Sequence, residues 1–347
     1  MNEPATATAS GGDVLLSIED LHVTFRRRRT DRPVRAVNGV SFTLDRGETI
    51  GVVGESGSGK STIARAVMRL VPAERGRAVL DGRDLLTLGG ADLRNARRDV
   101  QMVFQDPYSS MNPSMVVADI IGEPLEVQAG IKGAARDKRV AELLDNVGLS
   151  SRHLQRYPYE FSGGQRQRIA IARALANRPK LVILDEAVSA LDVSTQNQII
   201  NLLEDLQHGT GVSFLFIAHD LAVVRHIARR TVVLYLGRVM EEGPSERIFE
   251  TPAHPYSEAL LSAVPIPNPA VQRQRSRVVL SGEPPDPSNP PPGCPFAARC
   301  TYVMDICRTA MPEPTPVDGG GIVACHLQTS GPALASRTLS ALSVRPG

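Results

Sequence analysis

The chain of 347 residues contains no tryptophan, and aromatic residues make up only 4% of it. A protein that stacks the bases of single-stranded nucleic acid needs several exposed aromatic rings, so this class of function is disfavoured. The formal net charge of +2 is also too small for a protein that coats nucleic acid, which carries a large excess of positive charge. We therefore expect no nucleic acid among its partners.

Long apolar runs are missing as well. The nearest candidate, 212–224, is interrupted by His219 and Asp220 and falls short of the ~20 residues that span a bilayer. Residues 1–13 are small, polar and slightly acidic, which predicts a disordered leader rather than a secretory signal. We expect a chain made and kept in the cytosol, which reaches a membrane only through partner proteins.

A glycine-rich loop stands between a strand-like run, 48–53, and a helix-like run, 61–70. Its backbone N–H groups can point at one anion, and the N-terminus of the helix adds its positive dipole end. Lys60 can reach the β- and γ-phosphates of a nucleotide, and the Ser61 hydroxyl can bind Mg²⁺. The loop fits the pattern GxxxxGK[ST] and predicts a nucleoside triphosphate site at Gly54, Glu55, Ser56, Gly57, Ser58, Gly59, Lys60, Ser61 and Thr62.

A second glycine-containing loop opens a helix-like run at 166–175. Small and apolar residues recur there at helical spacing, so the loop is a further candidate anion site, although it has no lysine of its own. We call it the signature loop, and it consists of Ser162, Gly163, Gly164 and Gln165.

Two carboxylates follow an apolar run, 181–184, that is typical of a buried parallel strand. Ligands of open α/β sheets bind at the carboxyl ends of the strands, where Asp185 and Glu186 are expected to lie. We expect Asp185 to hold Mg²⁺ through water and Glu186 to polarise the attacking water as a general base. A later apolar run, 212–218, ends at His219.

The order and spacing of these motifs resemble the ATP-binding subunit of an ABC transporter, over about 15–265. The resemblance implies an α/β fold. It also implies a P-loop ABC-type ATPase domain at 14–265, into which a helical subdomain is inserted at about 106–180. It implies that Ser61, Gln105 and Asp185 organise Mg²⁺, that Glu186 is the base and that His219 senses the γ-phosphate. Asp192 matches the D-loop, the family's short loop after the catalytic carboxylates.

The resemblance also implies that one chain cannot complete the site. In this family each ATP lies between the P-loop of one chain and the signature loop of the other, so Ser162 and Gly164 would complete the partner's site. ATP then acts as a dimerising ligand, and its hydrolysis releases the dimer. An adenine-stacking aromatic lies near Phe25 in the family; a buried strand residue is an equally good interpretation of Phe25.

Three segments, 104–113, 160–168 and 188–194, look like the oligopeptide/dipeptide importer subfamily. This implies a peripheral subunit on the cytoplasmic face of the cell membrane that hydrolyses ATP to energise peptide import. Its partners would be a second ATP-binding subunit, two permease subunits and an extracytoplasmic solute-binding protein. Import of nickel or another small solute remains an alternative. A chromosome or repair ATPase would need long heptad segments, which are absent. Ala187 departs from the family, which usually has proline there.

The four cysteines all lie in a proline-rich, irregular C-terminal extension, predicted at 266–347. Five, six and seventeen residues lie between successive cysteines, so the CxxC pair typical of zinc knuckles is absent. Clustered cysteines in a cytosolic chain favour a metal or cluster over disulfides, and what is known of some peptide importer subunits implies a 4Fe–4S cluster; reduced thiols in a loop-rich fold are the alternative. We expect this extension to be separate, so that nucleotide binding does not depend on it. The candidate ligands are Cys294, Cys300, Cys307 and Cys325.

Overall fold

The computed structural model describes residues 13–26, 32–264, 280 and 282–329. The predicted leader therefore lies outside the described residues except for Asp13, whose carboxylate and carbonyl accept hydrogen bonds from Arg46. The first part of the predicted linker and the last residues of the extension also lie outside them. The domain boundaries stay predictions.

The described elements alternate between strands and helices along most of the chain. The strands are β1 (Val14–Phe25), β2 (Val34–Asp45), β3 (Thr49–Val53), β4 (Arg75–Leu80), β5 (Arg83–Asp84), β6 (Val100–Val103), β7 (Leu181–Asp185), β8 (Ser213–Ile217), β9 (Arg230–Tyr235), β10 (Arg238–Pro244), β11 (Thr315–Pro316) and β12 (Ile322–Val323). The α-helices are α1 (Lys60–Val67), α2 (Gly90–Asp99), α3 (Val117–Ala129), α4 (Gly133–Asn146), α5 (Gly163–Ala174), α6 (Val193–Thr210), α7 (Leu221–Ile227), α8 (Ser245–Glu250), α9 (Pro255–Ser262) and α10 (Asp305–Thr309).

The larger sheet has the strand order β11-β12-β10-β9-β3-β8-β7-β6. Strands β9, β3, β8, β7 and β6 run parallel. The central strands β3, β7 and β8 are buried along their whole length, as expected of apolar runs covered on both faces. The loops after β3, β8, β7 and β6 therefore meet at one edge of the sheet, and they carry the P-loop, His219, Glu186 and Gln105.

A smaller antiparallel sheet, β2-β1-β4-β5, packs its apolar residues against the larger one. Between β6 and β7 the regular elements are helices only, with α3, α4 and α5 packed on one another. Val140, Leu143 and Leu144 of α4 are buried, as their helical spacing predicts. The predicted α/β class with an inserted helical segment is confirmed.

The C-terminal extension is not separate from the rest of the fold, which corrects our expectation. Its strand β12 pairs with β10, where Val323 lies opposite Glu241, so the extension lengthens the larger sheet. Cys294, Phe296 and Cys307 are buried in the same hydrophobic core as Val53 of β3. Sequence reasoning failed here because a proline-rich composition reports local structure and carries no information on long-range packing.

Candidate ATP-binding site

The P-loop connects β3 to α1 and lines a cavity of about 420 Å³. Gly54 and Gly59 have φ angles of 153° and 104°, which other residues rarely adopt. A Cβ at Gly54 would lie 2.2 Å from the carbonyl oxygen of Leu234, and one at Gly59 would lie 2.3 Å from that of Ala36. The glycines are therefore required by close backbone approach. The cavity is lined by Ala36, Ser56, Gly57, Ser58, Gly59, Lys60, Ser61, Thr62, Gln105 and Glu186.

Helix α1 begins without a side-chain cap, because its N-cap residue is Gly59. The N–H groups of the first helical turn have no intrahelical acceptor, and they carry the positive end of the helix dipole. This end of α1 faces the cavity, where Ser61 and Thr62 lie. An uncapped helix N-terminus beside a cavity is a ready-made site for phosphate.

Lys60 is buried at the base of this cavity. Its Nζ donates to the carbonyl oxygens of Gly54 at 2.7 Å and Glu55 at 3.0 Å. Burial lowers the pKa of Lys60, while the nearby carboxylates of Glu186, Asp185 and Glu55 oppose this effect. The ammonium group thus lies within the phosphate-binding loop.

Ser61 and Asp185 form a pair that fits a magnesium ion. The Ser61 hydroxyl donates to Oδ1 of Asp185 over 2.6 Å. Burial raises the pKa of Asp185, and the hydrogen bond from Ser61 partly offsets it. Hydroxyl and carboxylate oxygens are the ligands that Mg²⁺ prefers beside nucleotide phosphates, and Gln105 presents its side chain to the same cavity.

Glu186 lines the cavity directly after β7 and has a φ of 51°, a left-handed conformation that is strained for a residue with a side chain. Backbone contacts hold it there, because its N–H donates to the Ile217 carbonyl at 2.9 Å and its carbonyl accepts from the Ser189 hydroxyl. Nδ1 of His219 lies 3.7 Å from its carboxylate. The predicted base and the predicted γ-phosphate sensor are therefore neighbours.

The signature loop is absent from the residues that line this cavity. Ser162 caps α5 in a reciprocal arrangement, in which its hydroxyl accepts from the Gln165 N–H at 3.3 Å and its own N–H donates to the Gln165 side chain at 3.0 Å. Within the described chain, the signature loop therefore does not share this cavity with the P-loop.

The signature loop packs instead against the start of α6. A Cβ at Gly164 would lie 2.4 Å from Cγ2 of Thr195, whereas one at Gly163 would make an ordinary contact with Leu191 at 3.5 Å. Asp192 caps α6 by accepting from both the N–H and the hydroxyl of Thr195. These bonds lower the pKa of Asp192. Asp192 is thus tied to the signature loop through Thr195.

Phe25 is a predicted nucleotide contact outside the P-loop, and like Gly54 and Glu55 it does not line the cavity. It ends β1 opposite Val34, its exposed fraction is 41%, and it is not among the residues that line the cavity. The alternative interpretation of Phe25 as a buried strand residue is wrong. Adenine stacking by Phe25 stays a prediction.

The comparisons with known proteins agree with this site. Residues 37–189 match the family described as ABC transporter, and residues 240–307 match the oligopeptide/dipeptide transporter C-terminal region. The chain is 50% identical to the probable peptide ABC transporter ATP-binding protein y4tS of Sinorhizobium fredii, over 96% of this chain and 98% of the relative. It belongs to the ATP-binding proteins of ABC transporters. It is an ATPase whose hydrolysis of ATP, with Mg²⁺, is coupled to transport.

Other similar proteins support the same family assignment for this ABC ATPase. It is 46% identical to the oligopeptide transport ATP-binding protein AppF of Bacillus subtilis, over 92% of this chain and 99% of the relative. Among solved structures, it resembles the dimeric, post-hydrolysis ATP-binding cassette MJ0796 bound to ADP and phosphate, with a TM-score of 0.60, 30% identity and coverage of 67% of this chain and 99% of that one. CbiO1 of Clostridium perfringens gives a TM-score of 0.61 at 26% identity, over 68% and 91% of the two chains.

The four cysteines are free thiols, and three of them are buried. Burial raises the pKa of Cys294 to about 11 and those of Cys300 and Cys325 to about 12. The charges of the other cysteines add to each of these shifts, as expected of neighbouring thiols. Within the described ranges, however, no group of three or more cysteine, histidine or acidic side chains is placed to hold a metal ion. The predicted 4Fe–4S cluster is therefore not supported.

Sequence reasoning missed one set of residues at this site. The P-loop residue Glu55 accepts a hydrogen bond from Arg299 of the extension, and its N–H donates to the hydroxyl of Tyr256 in α9. Arg299 also donates to the hydroxyl of Tyr235 in β9. The sequence contains no spacing signal for this contact, because Glu55 and Arg299 are 244 positions apart.

Among the helices that the structure describes, none has the length and apolar character of a membrane span.

Proposed function

We propose that this ABC ATPase energises the import of peptides. The observation that carries the proposal is the match of residues 240–307 to the C-terminal region of oligopeptide and dipeptide transporters. This region lies outside the part of the chain that matches the general ABC transporter family. The names of the relatives y4tS and AppF point to peptides as well.

The chain would act at the cytoplasmic face of the membrane, held there by two permease subunits. A solute-binding protein outside the membrane would deliver the peptide, and a second ATP-binding subunit would pair with this chain. The dimeric cassette among the similar structures supports the pairing. The position of the signature loop away from the P-loop cavity supports it too, because that loop needs a second chain to reach a nucleotide.

Within each composite site we assign roles to the residues already described. Lys60 and the P-loop N–H groups would hold the phosphates, and Glu186 would accept the proton of the attacking water. Ser61, Gln105 and Asp185 would hold Mg²⁺, which neutralises phosphate charge when bound. His219 would contact the γ-phosphate, and Ser162 and Gly164 would close the partner's site.

The direct test is the ATPase rate of the reconstituted complex, comprising both ATP-binding subunits, both permeases and the solute-binding protein. We expect a mixture of di- to pentapeptides, added with the binding protein, to raise the rate severalfold above the unloaded complex. The matched control is the same complex with Glu186→Gln. Stimulation by Ni²⁺ and not by peptides would replace peptide import with metal import and leave the ATPase assignment intact.

A 4Fe–4S cluster at the four cysteines remains a separate proposal. It rests on four free thiols whose charges influence one another, because thiolates are the ligands of such clusters, although the described side chains are not arranged to hold a metal ion. Protein purified without oxygen should then be brown, with equal amounts of iron and acid-labile sulfide, and Cys300→Ser should bleach it. Colourless protein, with zinc or with four titratable thiols, would refute the cluster.

A further inference from the structure

The C-terminal extension touches the P-loop through a two-pronged ion pair. Nη1 of Arg299 donates to Oε2 of Glu55 at 2.7 Å, and Nη2 donates to Oε1 at 3.0 Å. The side chain of Arg299 is only 7% exposed, and that of Glu55 is 28% exposed. Such a planar, bidentate pair fixes the direction of both side chains as well as their distance.

Every polar group of Glu55 is held by this contact or by its neighbours. Its N–H donates to the Tyr256 hydroxyl at 2.8 Å. Its carbonyl accepts from Lys60 at 3.0 Å and from the Ser58 N–H at 3.1 Å. Glu55 is therefore the point at which the P-loop is fastened to α9 and to the extension.

Arg299 is itself held rigidly. Its Nη1 also donates to the Tyr235 hydroxyl at 3.2 Å, and its N–H closes a turn with the carbonyl of Phe296 at 2.9 Å. The Phe296 ring is 1% exposed and packs on Tyr235 and Tyr256, with centroids 5.4 and 5.3 Å away. These contacts hold the guanidinium of Arg299 in one position, unlike a mobile charge on the surface.

Hydrogen bonds within the P-loop, from Lys60 and from the Ser58 N–H, hold its backbone carbonyls but leave the side chain of Glu55 to be fixed from outside the loop. Glycines give the loop its left-handed conformations, and glycine also has the most freedom to leave them. A cradle for phosphate works only if its N–H groups already point at the anion before it arrives. Without Arg299, the carboxylate of Glu55 would also lie unpaired beside a loop that must accept phosphate charge.

We propose that Arg299 is a positioning residue for nucleotide binding, which acts through Glu55 to preset the P-loop. The extension is thereby part of the ATP site of its own chain. The proposal rests on ATP binding and is independent of the transported solute, so peptide import could fail its test while this proposal stands.

The experiment measures the affinity of the full-length chain for ADP and for AMP-PNP, with Mg²⁺, by calorimetric titration at 25 °C. Arg299→Gln should weaken AMP-PNP binding by about tenfold, equivalent to the loss of one charge-assisted hydrogen bond. Arg299→Lys keeps the charge but not the fork, and it should weaken binding by about threefold. The loss should be larger for AMP-PNP than for ADP and smaller at high salt, because an unpaired Glu55 repels the more negative nucleotide.

The decisive arm is the double variant Arg299→Gln/Glu55→Gln. It removes both ends of one contact, so its binding should be no weaker than that of Arg299→Gln alone, as a double-mutant cycle requires of coupled residues; losses that add independently would overturn the proposal. Arg308→Gln, at an exposed arginine of the same extension, is the matched control and should bind normally.

A purely structural role for Arg299 predicts a different pattern. The variants would then unfold at lower temperature, while the folded molecules would bind both nucleotides with unchanged affinity, and that result would overturn the proposal. If Arg299→Gln does not fold, Arg299→Lys carries the same test. Faster hydrogen exchange at residues 54–59 in Arg299→Lys supports the proposal, and unchanged exchange together with unchanged affinity refutes it.

Discussion

Two glycine-containing loops of this ABC ATPase each precede a helix, yet they are built in opposite ways. The P-loop leaves the N-terminus of α1 without a side-chain cap and borders a cavity of about 420 Å³. The signature loop caps its own helix, α5, through Ser162 and Gln165, and it borders no part of that cavity.

The difference shows how similar local sequences are given different tasks. Uncapped N–H groups beside a cavity bind an anion within the same chain. A loop whose helix is already capped needs no further hydrogen bonds from its own chain, so its exposed face is free to contact a partner. Variants in the first loop should therefore change nucleotide binding by the isolated chain, and variants in the second should change ATP turnover only in the assembled transporter.

Glu186→Gln should give the largest effect. The isolated chain should still bind ATP, while turnover by the assembled complex falls by about 10²–10⁴, as expected for a lost general base. Glu204→Gln, at a half-buried position of α6, is the control and should turn over normally. A steady-state rate within a fewfold of the unaltered complex would remove Glu186 from the mechanism.

Lys60→Ala should act one step earlier, at binding by the isolated chain. The ammonium group would be the positive charge within the phosphate-binding loop, and its loss should weaken ATP affinity by about 10- to 100-fold. Nucleotide titration of the purified chain measures this, with Lys138→Ala of α4 as the control. Unchanged affinity would mean that residues 54–62 do not bind the phosphates.

Ser162→Ala tests the signature loop in the opposite sense. ATP affinity of the isolated chain should be unchanged, whereas the ATPase rate of the assembled complex should fall by about tenfold, equivalent to one lost polar contact. Ser150→Ala removes another capping serine, one that accepts from Arg152, and controls for the loss of a cap. Weaker binding by the isolated chain would contradict the division between the two loops.

In the isolated chain, Gly164→Ala should have the smallest effect, and it should be an effect on stability. The new methyl group would meet Thr195, which costs about 1–3 kcal/mol, whereas Gly163→Ala has room and should be nearly neutral. Thermal unfolding of both variants gives the comparison. Thr195→Ser removes the opposing methyl group and should restore the stability of Gly164→Ala; no recovery would mean that the contact with Thr195 is not the cause.

The strands of the nucleotide-binding core could be predicted because they are short apolar runs with polar residues at their ends. Runs at 100–104, 181–184 and 212–218 correspond to β6, β7 and β8. Helix α4 also follows from the helical spacing of its apolar residues Val140, Leu143 and Leu144. Phe25 was harder, because an aromatic residue at the end of a strand fits a buried and an exposed position equally well.

The sequence by itself determined the candidate site residues of the P-loop, the pair Asp185–Glu186 and His219, because each belongs to a local sequence pattern. Only the tertiary structure decided which distant residues meet them. The contact of Arg299 with Glu55, the packing of Gly164 on Thr195 and the pairing of β12 with β10 all join segments without a shared motif. Such contacts depend on how buried surfaces fit together in space, and neither residue spacing nor composition records that fit.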